Sequence, residues 1–339
     1  VVADVLTWPA SALLDRDEAD ADAPSTPAAR PAALELLPAA DRAYVLDGFR
    51  RLLPAPVDLE PGLRAVVRDL LDHPGSLARA QLVFGVLRDL GGAPEAARAL
   101  AVAVEYFHTA SLVFDDLPSM DDASERRGRP CPHRAHGEAS AVLGALALIN
   151  RAYGLLWGVL AGLPAERSRR AAALVEECLG AAGVLDGQAR DLRFDPRRAG
   201  AREVLRVAAG KTVPLVRLSL VLPALAGGAG DEELALLEEV SEAWGFAYQV
   251  LDDFKDLLSS REETGKSPAR DRALGRPNLP AAVGFWDAMD RLVAFLARGC
   301  AAITALERRD PRWARLGRLQ RFLEDERRRL VLRVADEGH

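Results

Sequence analysis

Two clusters of carboxylates at the ends of apolar stretches hold most of the chemistry in this 339-residue sequence. Asp115-Asp116-Leu-Pro-Ser-Met-Asp121-Asp122 closes the apolar run EYFHTASLVF and is followed at once by Glu125-Arg126-Arg127-Gly128. Carboxylates at the end of a helix bound for a core are costly unless they are paired or bind metal. Far downstream, Gln249, Asp252, Asp253 and Asp256 fall at i, i+3, i+4 and i+7, which is one helical face. The residues before them, Ala-Trp-Gly-Phe-Ala-Tyr, are again apolar. An all-oxygen donor set of this kind suits Mg2+, which keeps several waters and bridges a few carboxylates to substrate phosphates. Nitrogen and sulfur ligands at metal spacing are missing, which argues against zinc. Either cluster alone could be an ordinary acidic helix end. Two of them, each joined to an apolar helix and followed by basic residues, point to a site.

The basic residues are Arg126 and Arg127 after the first cluster, Lys211-Thr212, expected to open a helix after Gly210, and Lys266 past the second cluster. A metal with Lys and Arg around an apolar cavity is what a diphosphate leaving group requires, because the charge developing on it must be stabilised.

The elements that must position these residues read as helices. Apolar residues recur at three- and four-residue spacing through 40–53, 63–71, 77–90 and 94–112, and again through 139–163, 166–185, 201–210, 216–225, 231–257 and 280–306. A last stretch runs over 312–334. Breaks are predicted at Pro54–Pro56, His73–Gly75, Gly91–Pro94, Gly227–Gly230 and Gly275–Pro277. Alternating β-type patterns are nearly absent and no solenoid period is visible, so the expected fold is all-α, one large bundle.

Composition agrees. Hydrophobic residues make up 49% and aromatics only 6%, so the core rests on Ala, Leu and Val, a bias that favours helix. A net charge of −6 argues against a nucleic-acid-coating surface. Cys131, Cys178 and Cys300 lie far apart, without zinc or disulfide spacing, so a reduced, cytoplasmic setting is expected. Residues 1–32 are read as an acidic, Pro- and Ala-rich flexible extension and 33–339 as the catalytic domain. The stretch 139–163 is the best transmembrane candidate. Asn150 and Arg151 at its middle favour a buried core helix instead, so no transmembrane segment is expected.

On these motifs the chain resembles the trans-isoprenyl diphosphate synthases of the polyprenyl synthetase family over roughly 63–280. The first cluster with Arg126-Arg127-Gly128 is similar to the family's first aspartate-rich motif in its longer bacterial form, and Tyr248 to Asp256 to the second. Glu105-x2-His108, Gly137-Glu138, Gly187-Gln188-x2-Asp191-Leu192, Lys211-Thr212 and Gly265-Lys266 agree as well. The resemblance implies a homodimer and an isoprenoid-synthase bundle around a central apolar cavity. It also implies that Asp115, Asp116, Asp121, Asp252 and Asp256 hold Mg2+ on an allylic prenyl diphosphate, with Asp253 in the same motif. Arg126, Lys211 and Lys266 would bind that diphosphate, with Thr212 and Gln249 beside it. Isopentenyl diphosphate, held by Arg79, Arg127 and His108, would attack the allylic cation, and the released diphosphate would accept the proton.

The departures fall mainly at the second diphosphate. Where the family has Gly-Gly-Lys-x-x-Arg-Pro, this chain reads Pro74-Gly75-Ser76-Leu77-Ala78-Arg79-Ala80, with Ser76 in place of the lysine. Losing one charged phosphate contact is worth about 1.5–3 kcal/mol, or roughly one to two decades in affinity. A usual lysine appears as Arg276, and the residue before the first motif, often His, is Phe114, which offers either a core ring or an aromatic face beside the reacting carbon. Three readings stay open: an elongating synthase, a terpene synthase converting a single prenyl diphosphate, and a non-catalytic partner subunit. Ala110 and Ser111, the pocket floor by the resemblance, are small, so a chain longer than farnesyl, geranylgeranyl diphosphate, is the expected product. Arg327-Arg328-Arg329 reads as a solvated helix with local ion pairs, and His133 and His136 as structural.

Overall fold

The computed structural model describes residues 35–56, 58–197, 200–258 and 275–337. The extension 1–32 and Lys266 lie outside the described residues. Helices follow one another as α1 (Ala39–Arg51), α2 (Pro61–Asp72), α3 (Ala78–Asp89), α4 (Pro94–Asp115), α5 (Pro132–His136), α6 (Glu138–Leu160) and α7 (Ala165–Leu179). They continue as α8 (Val184–Leu192), α9 (Ala201–Lys211), α10 (Val213–Gly227), α11 (Asp231–Leu258), α12 (Leu279–Val283), α13 (Phe285–Arg309) and α14 (Leu316–Glu337). A 3-10 turn, Pro311–Arg315, precedes α14. Among the described residues the strands amount to one two-residue hairpin, β1 (Glu125–Arg126) with β2 (Arg129–Pro130). The expected all-α bundle is what forms.

Helix α4 is its axle. Pro94 supplies a pre-set φ at the start and Glu95 a favourable charge in the first turn. Val102, Ala103, Val104, Glu105, Tyr106 and Phe107 are consecutive and all buried, so the helix is enclosed on every side by α1, α3, α6 and α10. The second motif rides on α11, which packs between α10 and α13.

Several boundaries differ from the periodic reading. The run 166–185 is two helices, broken at Gly180–Gly183, where a Cβ on Gly183 would lie 2.2 Å from the Cys178 carbonyl. The run 280–306 is interrupted at Gly284, whose φ of +90° only glycine adopts freely. Lys211 closes α9 instead of opening a helix. The chain bends by 44° between α9 and α10, and Pro214, with no N–H to donate, stands in the first turn after the bend.

Helix α6 corrects a second expectation. It is long and apolar enough to cross a membrane by length and composition, yet it is not enclosed. Ala141, Gly144, Ala145, Leu148, Ala152 and Leu156 are buried on the side packed against α2 and α4. Leu143, Leu146 and Trp157 remain 52%, 49% and 46% exposed. In α14, Arg328 and Arg329 pair with Asp325 and Glu326 at i,i+3, while Glu326 also takes Lys255 of α11 at 2.6 Å.

Candidate active site

A cavity of about 500 Å3 opens between α4, α8, α9, α10 and α11. Its wall is apolar along Leu112, Phe114, Val184, Val204, Val207 and Leu215, and its polar lining is divided between two poles.

The acidic pole gathers Asp115 and Asp121 from the first motif, Asp252 from the second and Asp191 from α8. Glycine makes this convergence possible. A Cβ on Gly187 would sit 2.2 Å from the Gly210 carbonyl carbon, so α8 and α9 cross backbone to backbone. Lys211 Nζ consequently donates to Asp191 Oδ2 at 2.8 Å and stands 3.9 Å from Asp115 Oδ2. Burial raises Asp115 above the usual carboxylate range, against the pull of Lys211. Burial alone would lower Lys211, but Asp115 and Asp191 outweigh it and hold the ammonium above its ordinary range. Arg276 pairs with Asp121 and donates to the Asp191 carbonyl at 3.1 Å.

Asp116 and Asp253 stand apart from the roles expected of them. Asp116 is 1% exposed and is held by Arg126, with Nε to Oδ2 at 2.8 Å and Nη2 to Oδ1 at 2.7 Å. It anchors the loop and does not line the cavity, while Arg126 does. Asp253, 3% exposed, accepts from Gln249 Nε2 at 2.9 Å and from the Leu279 backbone N–H at 2.8 Å. Thr212 Oγ1 donates to Gln249 Oε1 at 2.7 Å, which completes a polar chain from the α9–α10 bend to the start of α12. Asp253 therefore fixes the segment that carries Arg276. Asp256 is half-buried one turn beyond Asp252 and lies off the cavity wall.

The basic pole is built from Arg79, Arg127 and His108. Arg127 and Gly128 form the centre of the hairpin with φ of +56° and +73°, the pattern of a type I′ turn. That turn lays the Arg127 guanidinium against Gly75, where a Cβ would come within 2.0 Å of Nη1. Arg79 Nη1 lies 3.1 Å from His108 Nε2. Burial, and then the Arg79 charge, press His108 well below its ordinary range, so the ring is neutral and accepts at Nε2. Behind them Glu105 accepts from the Ala80 backbone N–H at 2.9 Å, and burial raises its pKa.

Of four further substrate positions, two line the cavity and two do not. Ser76 is exposed and lies off the cavity. Ala110 is fully buried in the packed core and does not line it, whereas Ser111 does, with Oγ donating to the His108 carbonyl at 2.8 Å. Phe114 lines the cavity and also packs against the core. Asp191 and Arg276 were visible in the sequence only as a motif member and a lysine replacement; their meeting depends on the segment before α12, held by Asp253, reaching across to α8. His136 pairs with Asp69 at 3.0 Å, a structural role.

Comparison with known proteins agrees with this architecture. The polyprenyl synthetase family model matches residues 60–299, and the chain belongs to that family. It is 35% identical over 226 residues to geranylgeranyl pyrophosphate synthase 3, chloroplastic, of Arabidopsis thaliana, covering 66% of this chain and 63% of that protein. It is 36% identical over 198 residues to the geranylfarnesyl diphosphate synthase, chloroplastic, of Leucosceptrum canum, covering 58% of this chain and 54% of that one. The chain thus spans less than two thirds of either relative. The fold matches a Helicobacter pylori geranyltransferase solved with magnesium and isoprenyl diphosphate, at a TM-score of 0.74 and 24% identity over 84% of this chain and 95% of that one. It also matches an isoprenoid synthase family member from Thermotoga neapolitana, at a TM-score of 0.67 and 26% identity over 85% and 98% of the two chains.

Proposed function

We propose that the protein is a Mg2+-dependent prenyltransferase that ionises an allylic prenyl diphosphate and condenses it with isopentenyl diphosphate, with geranylgeranyl diphosphate as product. The observation that carries this reading is a single apolar cavity with an acidic pole and a separate basic pole. One substrate needs only the first; two diphosphates need both. The pair Arg79 and Arg127 with neutral His108 supplies an anion site even without a lysine at Ser76, which favours elongation over conversion of a single prenyl diphosphate. The similarity to synthases named for geranylgeranyl and geranylfarnesyl diphosphate supports the same reading.

The donor chemistry fits magnesium. At the acidic pole Asp115, Asp121, Asp191 and Asp252 face two cations, Lys211 and Arg276, which leaves an excess of hard carboxylate oxygen. Among the described residues no three metal-ligating side chains stand together as a ready-made cage. Asp115, Asp121 and Asp252 would hold the ion, and bound Mg2+ would neutralise charge on the departing diphosphate. Lys211, with Arg126 and Lys266, would bind that diphosphate. Phe114 and the valines of α8 and α9 keep water from the allylic carbon. Arg79 and Arg127 orient isopentenyl diphosphate so that its double bond faces the allylic carbon, and the departing diphosphate takes the proton.

A homodimer through α6 belongs to the same proposal. The exposed apolar stripe of Leu143, Leu146 and Trp157 is a surface that water disfavours, and a second copy would bury it. None of the three cysteines is in a disulfide and two of them are buried, which fits a reducing cytoplasmic setting.

The test is a product assay with geranyl, farnesyl and geranylgeranyl diphosphates, each with and without isopentenyl diphosphate, in Mg2+ and again in excess EDTA. Longer prenyl alcohols after dephosphorylation, found only with isopentenyl diphosphate and Mg2+, are the expected result. A hydrocarbon or cyclic alcohol from one allylic substrate alone would make the protein a terpene synthase and sink the proposal.

A further inference from the structure

Arg276 reaches the acidic pole from the segment leading into α12, with 8% of its side chain exposed. Its Nη2 pairs with Asp121 and donates to the Met120 carbonyl at 3.3 Å. Its Nη1 donates to the Asp191 carbonyl at 3.1 Å and stands 4.0 Å from the Asp191 carboxylate. Its Nε–H is buried with no acceptor among the described residues.

These contacts give one guanidinium two tasks. It ties the loop of the first aspartate motif to α8, and it places a positive charge on a carboxylate that lines the cavity. The planar fork of arginine suits this bridging, since donors at fixed angles meet two acceptors at once. The unused Nε–H matters as much. A buried donor without an acceptor is disfavoured, and because Arg276 lines the cavity, a turn of its guanidinium toward an anionic oxygen there would supply one. Arg276 is thus bonded to Asp121 while still lacking an acceptor that a diphosphate can provide.

Resting on the diphosphate reading above, we propose that Arg276 is a partner-exchanging residue that couples metal to diphosphate. With the site empty it neutralises Asp121 and competes with Mg2+ for that carboxylate. When a diphosphate arrives, Arg276 bonds to its oxygens and releases Asp121 to the ion. A carboxylate available for only a fraction of the time binds its ion more weakly by that fraction. Mg2+ alone is therefore held weakly, and Mg2+ with diphosphate is held together, each raising the affinity for the other. Arg276 acts on the metal through Asp121 and is to that extent a positioning residue.

Calorimetric titration of the whole chain with Mg2+, in the absence and presence of inorganic pyrophosphate, tests this without turnover. Arg276→Met is expected to bind Mg2+ alone about tenfold more tightly and Mg2+ with pyrophosphate about tenfold more weakly, the size of one charge-assisted contact. Arg276→Lys keeps the charge and should move both affinities the same way by less. Opposite shifts are the signature, because a residue serving only to hold the fold would weaken both. If both affinities fall together, or neither moves, the exchange is refuted. If circular dichroism shows Arg276→Met unfolded, Arg276→Lys decides by the same criterion. If the unaltered protein takes up no Mg2+ even with pyrophosphate, the diphosphate site itself is wrong and the exchange falls with it; failure in the variants alone leaves that reading standing.

Discussion

Arg126 meets Asp116 side by side, with Nε and Nη2 on the two carboxylate oxygens at 2.8 and 2.7 Å, and Asp116 is 1% exposed. The pair joins the C-terminus of α4 to the hairpin, so it fixes the relation between the acidic pole and the turn that carries Arg127. Asp116→Ala leaves the Arg126 guanidinium without its partner. A loss of about 2–4 kcal/mol in urea unfolding is expected, with Asp116→Asn recovering part of it. A change within about 0.5 kcal/mol, the range of an ordinary surface substitution, would show that the pair does not hold the loop.

Gly75→Ala separates stability from binding. The atoms nearest the added methyl belong to the far end of Arg127, a flexible side chain that can swing away. The midpoint of unfolding should therefore stay within about 0.5 kcal/mol of the parent. The KM for isopentenyl diphosphate should rise by roughly tenfold, the value of one displaced charged donor. An unchanged KM would remove Arg127 from the second diphosphate site.

Chain length should respond to Ser111 and not to Ala110. Ser111 lines the cavity, so Ser111→Phe is expected to shorten the prenyl product, as read by mass after dephosphorylation. Ala110 is fully enclosed in the core. Ala110→Phe should overpack it at a cost of about 1–3 kcal/mol and lower the yield of folded protein. A stable Ala110→Phe enzyme with a shorter product would reverse this assignment.

His108 gives a dependence of stability on pH. Burial holds its pKa well below the ordinary value of 6.5. The unfolded chain therefore takes up a proton near 6.5 that the folded chain refuses. The stability that neutral His108 contributes is complete above about pH 6.5 and is lost as pH falls below it, by about 1.4 kcal/mol per pH unit. His108→Gln keeps an acceptor for Arg79 and does not titrate. Between pH 7.5 and 5.5 its unfolding free energy should fall by about 1.4 kcal/mol less in total than the parent's; parallel curves would mean that His108 takes up its proton alike in the folded and unfolded chains.

The helical nature of the chain, the two aspartate motifs and most of the helix breaks were legible in the sequence because they are local properties. Ala and Leu at three- and four-residue spacing dictate helix wherever they occur, and carboxylates at i, i+3, i+4 and i+7 share a face whatever lies opposite. The family was legible for the same reason, since its motifs are short and contiguous. What lies opposite was decided only by packing. Asp116 and Asp121 are equivalent in sequence; the hairpin turns Arg126 onto one and the approach to α12 brings Arg276 onto the other. Asp252 and Asp253 are neighbours on α11, but the helix presents them in different directions, one to the cavity and one to the Leu279 backbone N–H. Ala110 and Ser111 differ by the 100° that separates consecutive residues on a helix. Asp191 and Lys211 meet because two glycines let α8 and α9 touch. The sequence determined which groups are available for chemistry, and the tertiary structure decided which of them face the cavity and which hold the others in place. Side-chain direction depends on the neighbouring helix, and no run of residues encodes its neighbour.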